Sequence, residues 1–480
     1  MKKAFIKKEI SLLVIFAMMF SLLSGLSINA SAAQTKKSTV SGIIYYYTVS
    51  NKAATITSAE YKSGSSKTLT LPSKLGGYAV KTIASNATQF VSRETVVIPD
   101  SVETLEDCSI GNTKTKNVKL GKNLKTIKGD PFSRCNHLSS ISVNSNNKYF
   151  MVSKSVLYNK SKTVLYKYPA AKIPASYTVL SSVKTISNRA FADSSKLKNI
   201  TLGKSVKTIK ADAFFASSAL TKFAVNKNNK NFLVKDGVLY NKKKTVIVFY
   251  PCAKSGSSYT VVSGVTKVSS RAFADALKLT EVKLPSSVTE IASKAFSNAG
   301  KLKTLSLPSK LKTIGNNAFE STALTQVTAP KTLETMGSGA YEFCSKLKSV
   351  DLSKSKLTKI NSRTFSDCEK ITEIKFPKTL TAISTAFGNT AITKLDLPAG
   401  VTSVSNNAFS GCKKLSSIIV RGAETDISKC VPKEQYIAYA DENDSNGYIA
   451  YKYNFTITAP KGSKAERFAL ENSIEFFELA

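Results

Sequence analysis

The chain has 480 residues, with 69 Lys and Arg against 32 Asp and Glu, for a formal charge of +37. Such an excess points toward anionic partners or surfaces and says nothing about fold. One His, no Trp and seven Cys without a Cys-x-x-Cys pair argue against the usual zinc arrangements and leave sugar stacking to Tyr.

The N-terminus reads as a processing signal. Lys2, Lys3, Lys7 and Lys8 form a basic start, an apolar run follows from Ile10 to about Leu23, and Ala30-Ser31-Ala32 supplies the small-x-small cleavage pattern. The expectation is a signal peptide over residues 1–32; an uncleaved anchor is the rival reading, disfavoured because the run is short for a span. Removing four Lys and one Glu leaves a formal charge of +34. No Cys precedes Cys108, which argues against a lipid-modified start, and the C-terminal residues show no LPxTG motif or apolar tail.

Residues 33–68 read as an N-terminal β cap, with Ile43 to Val49 and Ala54 to Thr57 as strands. From 69 to 420 one pattern recurs: Leu-x-x-Val-x-Leu-Pro-x-x-Val-x-x-Ile-x-x-x-Ala-Phe. A full copy runs through Leu279, Val282, Leu284, Pro285, Val288, Ile291, Ala295 and Phe296. Its aromatic anchor returns at Phe132, Phe191, Phe214, Phe273, Phe296, Phe319, Tyr341, Phe365, Phe387 and Phe409. From Phe273 onward the gaps are 23, 23, 22, 24, 22 and 22 residues, inside the range of leucine-rich repeats.

Val282 and Leu284 alternate with Glu281 and Lys283, so a short strand turns its apolar pair inward. Pro285 ends it, having no N–H for a ladder. Stacked copies would align these strands in a parallel sheet, and the stack buries what no single repeat can. The fold class expected is a β-rich leucine-rich-repeat solenoid with its parallel sheet on the concave face and short irregular segments behind. Segments 143–169 and 225–251 align at an offset of 82 and stretch two anchor gaps to 59 residues; each reads as a β-hairpin insertion. Residues 421–455 are tyrosine-rich and fit neither repeat nor cap. Ser463-Lys464-Ala465-Glu466 matches a capping box opening a helix to about Asn472, with a strand over 474–479, so 421–480 holds an irregular segment and a C-terminal cap.

The Pro-x-x-Val-x-x-Ile-x-x-x-Ala-Phe-x-x-Cys unit resembles the BspA-type (Treponema-type) leucine-rich repeat of bacterial surface proteins, over about residues 69–420. The resemblance implies a secreted or cell-surface role, often adhesion to host-matrix or other surface proteins; separately, no sequence motif calls for a cofactor.

Candidate chemistry is sparse. Cys135, Cys344, Cys368 and Cys412 sit three residues after an anchor, a slot that Ser194, Ser217, Ala276, Ala299, Thr322 and Thr390 fill elsewhere. Such a slot wants a small buried side chain rather than a ligand; whether Cys344 and Cys368 pair stays open. His137 precedes Leu138 on a corner, with no recognisable nucleophile motif. Asp441 to Gly447 hints at a calcium loop, but its glycine is one position late and Lys452 stands where a bidentate Glu belongs, so a solvated turn is preferred.

The outward positions of the strands form two columns. Candidate partner contacts there are Glu281, Lys283, Thr304, Gln326, Thr328, Asp351, Glu373, Lys375, Lys394 and Asp396. Over all the repeats the columns carry five Lys and four acids, so the positive excess lies elsewhere. Lys196, Lys278, Lys301, Lys346, Lys370 and Lys414 precede the first Leu or Ile of a repeat. Lys74, Lys122, Lys204, Lys310, Lys331 and Lys378 follow the strand. The first row is the candidate polyanion site, although lysine is also simply a soluble corner residue. The sequence therefore reads as an extracellular, non-enzymatic binding protein for surface or matrix proteins. The alternative is wall association through anionic glycopolymers or glycans; nucleic acid is not expected.

Overall fold

Each repeat can bury its apolar side chains only against its neighbours, and that requirement shapes everything behind the concave sheet. In the computed structural model, which describes residues 34–64, 66–430, 436–440 and 449–479, Leu279, Val282, Val288, Ile291, Ala295 and Phe296 of one coil are all buried. The expected signal segment and the 441–447 stretch lie outside the described residues.

Three hydrogen-bonded ladders tie successive coils. The concave ladder pairs Ser258–Thr260 with Glu281–Lys283, and Gln326–Thr328 with Ser349–Asp351 and Glu373–Lys375, all parallel. A second ladder runs through Lys267–Val268, Glu290–Ile291, Thr313–Ile314 and Thr335–Met336. The third lies in the anchor segment, where the N–H groups of Lys294, Phe296 and Asn298 donate to the carbonyls of Asn316, Ala318 and Glu320 at 2.8, 2.7 and 2.9 Å. Lys294 and Asn298 reach that arrangement at φ 59° and 60°. Left-handed backbone costs most residues energy, and Asn, Asp and Gly least. Gly339, Asp367, Asn407 and Gly411 meet that requirement in other coils, while Phe343 and Arg363 take the same left-handed backbone against it.

The anchors stack on one another along the axis. From Phe273 through Phe296, Phe319, Tyr341, Phe365 and Phe387 to Phe409 the ring centroids stand 4.8 to 5.6 Å apart with planes within 12° of parallel. Each thiol of the small slot caps the anchor of the coil before it. Cys344 Sγ donates to the Phe319 carbonyl and Cys368 Sγ to that of Tyr341, both at 3.1 Å, while Ser217 Oγ does the same at Phe191, 2.9 Å away. The slot therefore takes a small side chain that can bond back to the preceding coil where it is Cys or Ser217, whereas Ala276 and Ala299 fill it by volume alone.

The insertions are larger than hairpins. Phe150–Ser153, Val156–Asn159 and Val164–Lys167 form an antiparallel meander whose third strand joins the second ladder beside Thr185–Ile186. Phe232–Lys235, Val238–Asn241 and Val246–Phe249 repeat it. Tyr168 and Tyr250 then take the anchor position, 5.6 Å from Phe191 and 5.3 Å from Phe273. Each long gap is thus one 36-residue coil followed by a normal 23-residue step. The tyrosines do not read as anchors in the sequence because Lys167 and Phe249, not Ala, precede them and Pro follows.

At the N-terminus Lys36–Val40, Ile43–Ser50 and Ala53–Tyr61 form an antiparallel meander, continued in parallel by Tyr78–Ile83. At the other end Ser417–Val420 pairs directly with Thr456–Ala459, and that strand with Phe476–Glu478. Residues 421–455 are thus an excursion, within which Tyr436–Ala440 pairs antiparallel with Ile449–Tyr453. The capping helix spans Lys464–Glu471, its Glu466 N–H bonded to Ser463 Oγ at 3.1 Å.

One ion pair is fully interior: Lys167 Nζ lies 2.8 Å from Asp130 Oδ2, each side chain 2 % exposed. It bolts the first insertion to the preceding coil. A buried charge stripped of its partner costs about 3–5 kcal/mol. Lys167→Met alone should lose about that much, and Lys167→Met with Asp130→Asn much less, by urea unfolding. Phe296→Ala opens a cavity inside the stack and should cost about 3–5 kcal/mol, with hydrogen exchange rising first in the coils of Phe273 and Phe319.

Candidate partner-binding face

The two outward columns are in register wherever the concave ladder is continuous, with Gln326 beside Ser349 and Ser349 beside Glu373, and Thr328 beside Asp351 and Asp351 beside Lys375. All ten candidate contacts are at least partly exposed. Several are paired among themselves: Lys283 with Glu281 at 3.6 Å and Lys375 with Glu373 at 3.4 Å, each along one strand. Asp396 receives Arg421 through two hydrogen bonds, Nε at 2.7 Å and Nη2 at 2.9 Å. Asp351 accepts from the Ser353 hydroxyl at 2.6 Å and from its N–H at 2.9 Å. The hydroxyl above all holds the Asp351 carboxyl below its usual range.

The ten do not form one patch, because the concave ladder is interrupted. It stops at the insertions, after Ser140–Val143 and after Lys222–Val225, and twice more in the regular repeats. Residues 303–307 keep one isolated bridge, Thr304 to Glu281, and Gln326–Thr328 pairs only with the following coil. Likewise Glu373–Lys375 does not pair with Lys394–Leu397.

Both of these breaks have the same cause in sequence. Six residues separate Phe296 from Leu302, but only five separate Phe319 from Leu324 and Phe387 from Ile392. The second ladder still joins Thr313–Ile314 to Thr335–Met336 and Ala382–Ile383 to Ser403–Val404, and the anchor stack runs on. The missing residue is therefore taken out of the concave strand. A residue added between strand and second ladder, in the 24-residue step from Tyr341 to Phe365, does the opposite: the second ladder breaks between Thr335–Met336 and Lys359–Ile360 while the concave one continues.

Each shortened corner leaves a cleft in the concave face. The first, about 440 Å³, lies between Leu305 and Leu307 on one coil and Val327, Ala329 and Pro330 on the next, with Gln326, Thr328, Lys331 and Lys354 around it. The second, about 550 Å³, is lined by Ile374, Phe376 and Pro398, with Lys375, Lys378, Asp396 and Arg421 at its edge. Such volumes suit a side chain or small ligand. Four of the column residues thus line clefts. Their apolar walls, and the cations Lys354 and Arg421, were missed; the shortened corners after Phe319 and Phe387 were the signal.

The corner lysines Lys196, Lys278, Lys301, Lys346, Lys370 and Lys414 are all exposed and, among the described residues, outside every ion pair. They form an interrupted row at the entry to the concave strand, where Ala219, Ala323 and Ala391 take the same position, and none of them lines either cleft. His137 is exposed on its corner, and Cys108 is the least buried thiol. Among the described residues no group of three or more His, Cys, Asp or Glu is placed to hold a metal ion, and no helix is long and apolar enough to cross a membrane.

At the bridge to Glu281, Thr304 N–H donates to the Thr280 carbonyl and Val282 N–H to that of Thr304. By the same geometry, the amides of Leu305 and Gln326 lack partners across the first cleft. They should exchange with solvent much faster than those of Val350 and Ile374. Insertion of one Gly after Ser321, which restores the six-residue corner, should slow them; nuclear magnetic resonance or fragment-resolved exchange reads both.

The BspA type leucine rich repeat region model matches residues 54–170, 166–245, 245–356 and 344–451. Among solved structures, a leucine-rich repeat protein from Eubacterium ventriosum is 22% identical over 79% of this chain and 95% of its own, with a TM-score of 0.50. A leucine rich cell surface protein from Faecalibacterium prausnitzii is 19% identical over 72% of this chain and 96% of its own, at a TM-score of 0.42. The pneumococcal vaccine antigen PcpA is 20% identical over 93% and 99%, at 0.41. No curated protein gives a significant match. The repeat, its three ladders and a family match spanning most of its length make this chain a member of the BspA-type leucine-rich repeat family.

Proposed function

We propose that the protein is an exported, non-catalytic binding protein that engages other proteins at the bacterial cell surface, as an adhesin or interaction module, through its concave sheet. The observation that carries this reading is the concave face itself. It is a backbone held by ladders and stacked rings, presenting small and oppositely charged side chains with two apolar clefts. Preorganised side chains lower the ordering cost of association, and apolar anchors inside a polar surround are the usual energetic centres of interfaces. The family's surface-protein members support the location, and the signal pattern of residues 1–32 supports export.

A second face supports a second contact. The unpaired corner lysines and the +34 charge of the processed chain favour anionic wall polymer or acidic glycan along the edge of the coil. The two contacts are separable. Capture of surface and matrix proteins on the immobilised chain should fall at least tenfold with Lys283→Glu and Lys394→Glu together. Lys278→Glu, Lys301→Glu and Lys346→Glu should leave it intact while releasing the protein from cell envelopes at lower salt. Capture indifferent to the first pair removes the concave reading; retention indifferent to salt removes the second.

A further inference from the structure

We infer that the first cleft is an anchor pocket for a tyrosine side chain set in an acidic segment of a partner polypeptide, and that the second takes a large apolar residue of the same segment. The inference rests on the concave-face reading and specifies its partner.

The floor of the first cleft carries the strongest indication. Tyr341 lies there, fully buried, and its hydroxyl has no hydrogen-bond partner among the described residues. Phe fills the same stack position at 296, 319, 365, 387 and 409. The hydroxyl is not needed for stacking and is buried at a cost. Anchor rings reach across the core toward the concave strands, as Phe387 does to Phe376 at 5.9 Å. Tyr341 carries a hydroxyl at that end, where Leu305 and Leu307 line the cleft only partly buried. The same core already pairs phenols: Tyr240 and Tyr259 meet oxygen to oxygen at 2.6 Å. A tyrosine entering between the leucines and Pro330 would give Tyr341 an equivalent partner while its ring covers the apolar walls.

The coil spacing decides how the ligand enters. Phe319 stands 5.0 Å from Tyr341 and 5.1 Å from Phe296, one strand spacing. No backbone can slide between the coils as an added strand; a side chain entering end-on can. The rim sets the charge. Lys331 and Lys354 flank the first cleft outside any ion pair among the described residues, and Lys378 flanks the second beside the Asp396–Arg421 pair. Carboxylates next to the inserted side chain would meet them. The clefts lie three coils apart, roughly 14 Å at the parallel-strand spacing, which an extended chain covers in about four residues.

The test uses the full chain and fluorescein-labelled acidic peptides bearing Tyr and, four residues on, Leu, read by anisotropy. An acidic peptide without apolar residues measures background attraction to this basic protein, and a Phe-for-Tyr peptide isolates the phenol. Saturable binding above background is expected, weakened tenfold or more by Ser306→Phe, which fills the rim from an exposed position, and by Lys331→Glu with Lys354→Glu. Tyr341→Phe should weaken the Tyr peptide at least threefold and leave the Phe peptide unchanged, with thermal unfolding no lower than in the parent. Binding no better than background, or indifference to both Ser306→Phe and Tyr341→Phe, overturns the inference. If native partners are meanwhile lost with Lys283→Glu and Lys394→Glu, the concave-face reading stands and only the cleft assignment falls.

Discussion

The coil-to-coil distance set by the stacked anchors is the constraint on which the rest depends. Rings at 4.8 to 5.6 Å, nearly parallel from Phe273 to Phe409, cannot drift apart without leaving apolar surface unfilled. The anchor-segment hydrogen bonds fix the same rise. Every other part of a coil must then fit that rise with whatever residues it has. This is why an odd residue count produces a local break rather than a tilt of the whole stack.

That logic assigns the variation its place. A residue lost between anchor and concave strand breaks the concave ladder; one gained between the strands breaks the second. The insertions obey it as well, because Val164–Lys167 and Val246–Phe249 re-enter the second ladder and Tyr168 and Tyr250 re-enter the stack. The core stays closed while the concave surface acquires clefts. Surface variety on a fixed scaffold is what repeat proteins use for recognition, and here it arises from single-residue changes in loop length.

Charge follows a different rule. The concave columns are close to neutral and partly self-paired, whereas the corner lysines stand free of ion pairs, so the two faces present different chemistry on one backbone. Among the described residues buried charge is matched, most deeply at Asp130 and Lys167. In the second insertion the position of Lys167 is Phe249, and Asp212 turns to Arg271 at 2.6 Å instead. The same backbone thus accepts either solution.

Periodicity by itself determined the solenoid, the inward strand residues, the outward columns and the capping helix at Ser463, because each depends on spacing along the chain and on residue type. Tertiary structure alone decided what neighbouring coils do to one another. It showed that Tyr168 and Tyr250 are anchors, that Cys344, Cys368 and Ser217 of the small slot bond back to the preceding coil, and that 421–455 leaves and rejoins the ladder. It also turned two of the three 22-residue steps into clefts over Leu305 and Phe376. A missing residue is visible in a sequence. Which of three ladders gives way depends on which is held most tightly, and that is a property of the stack.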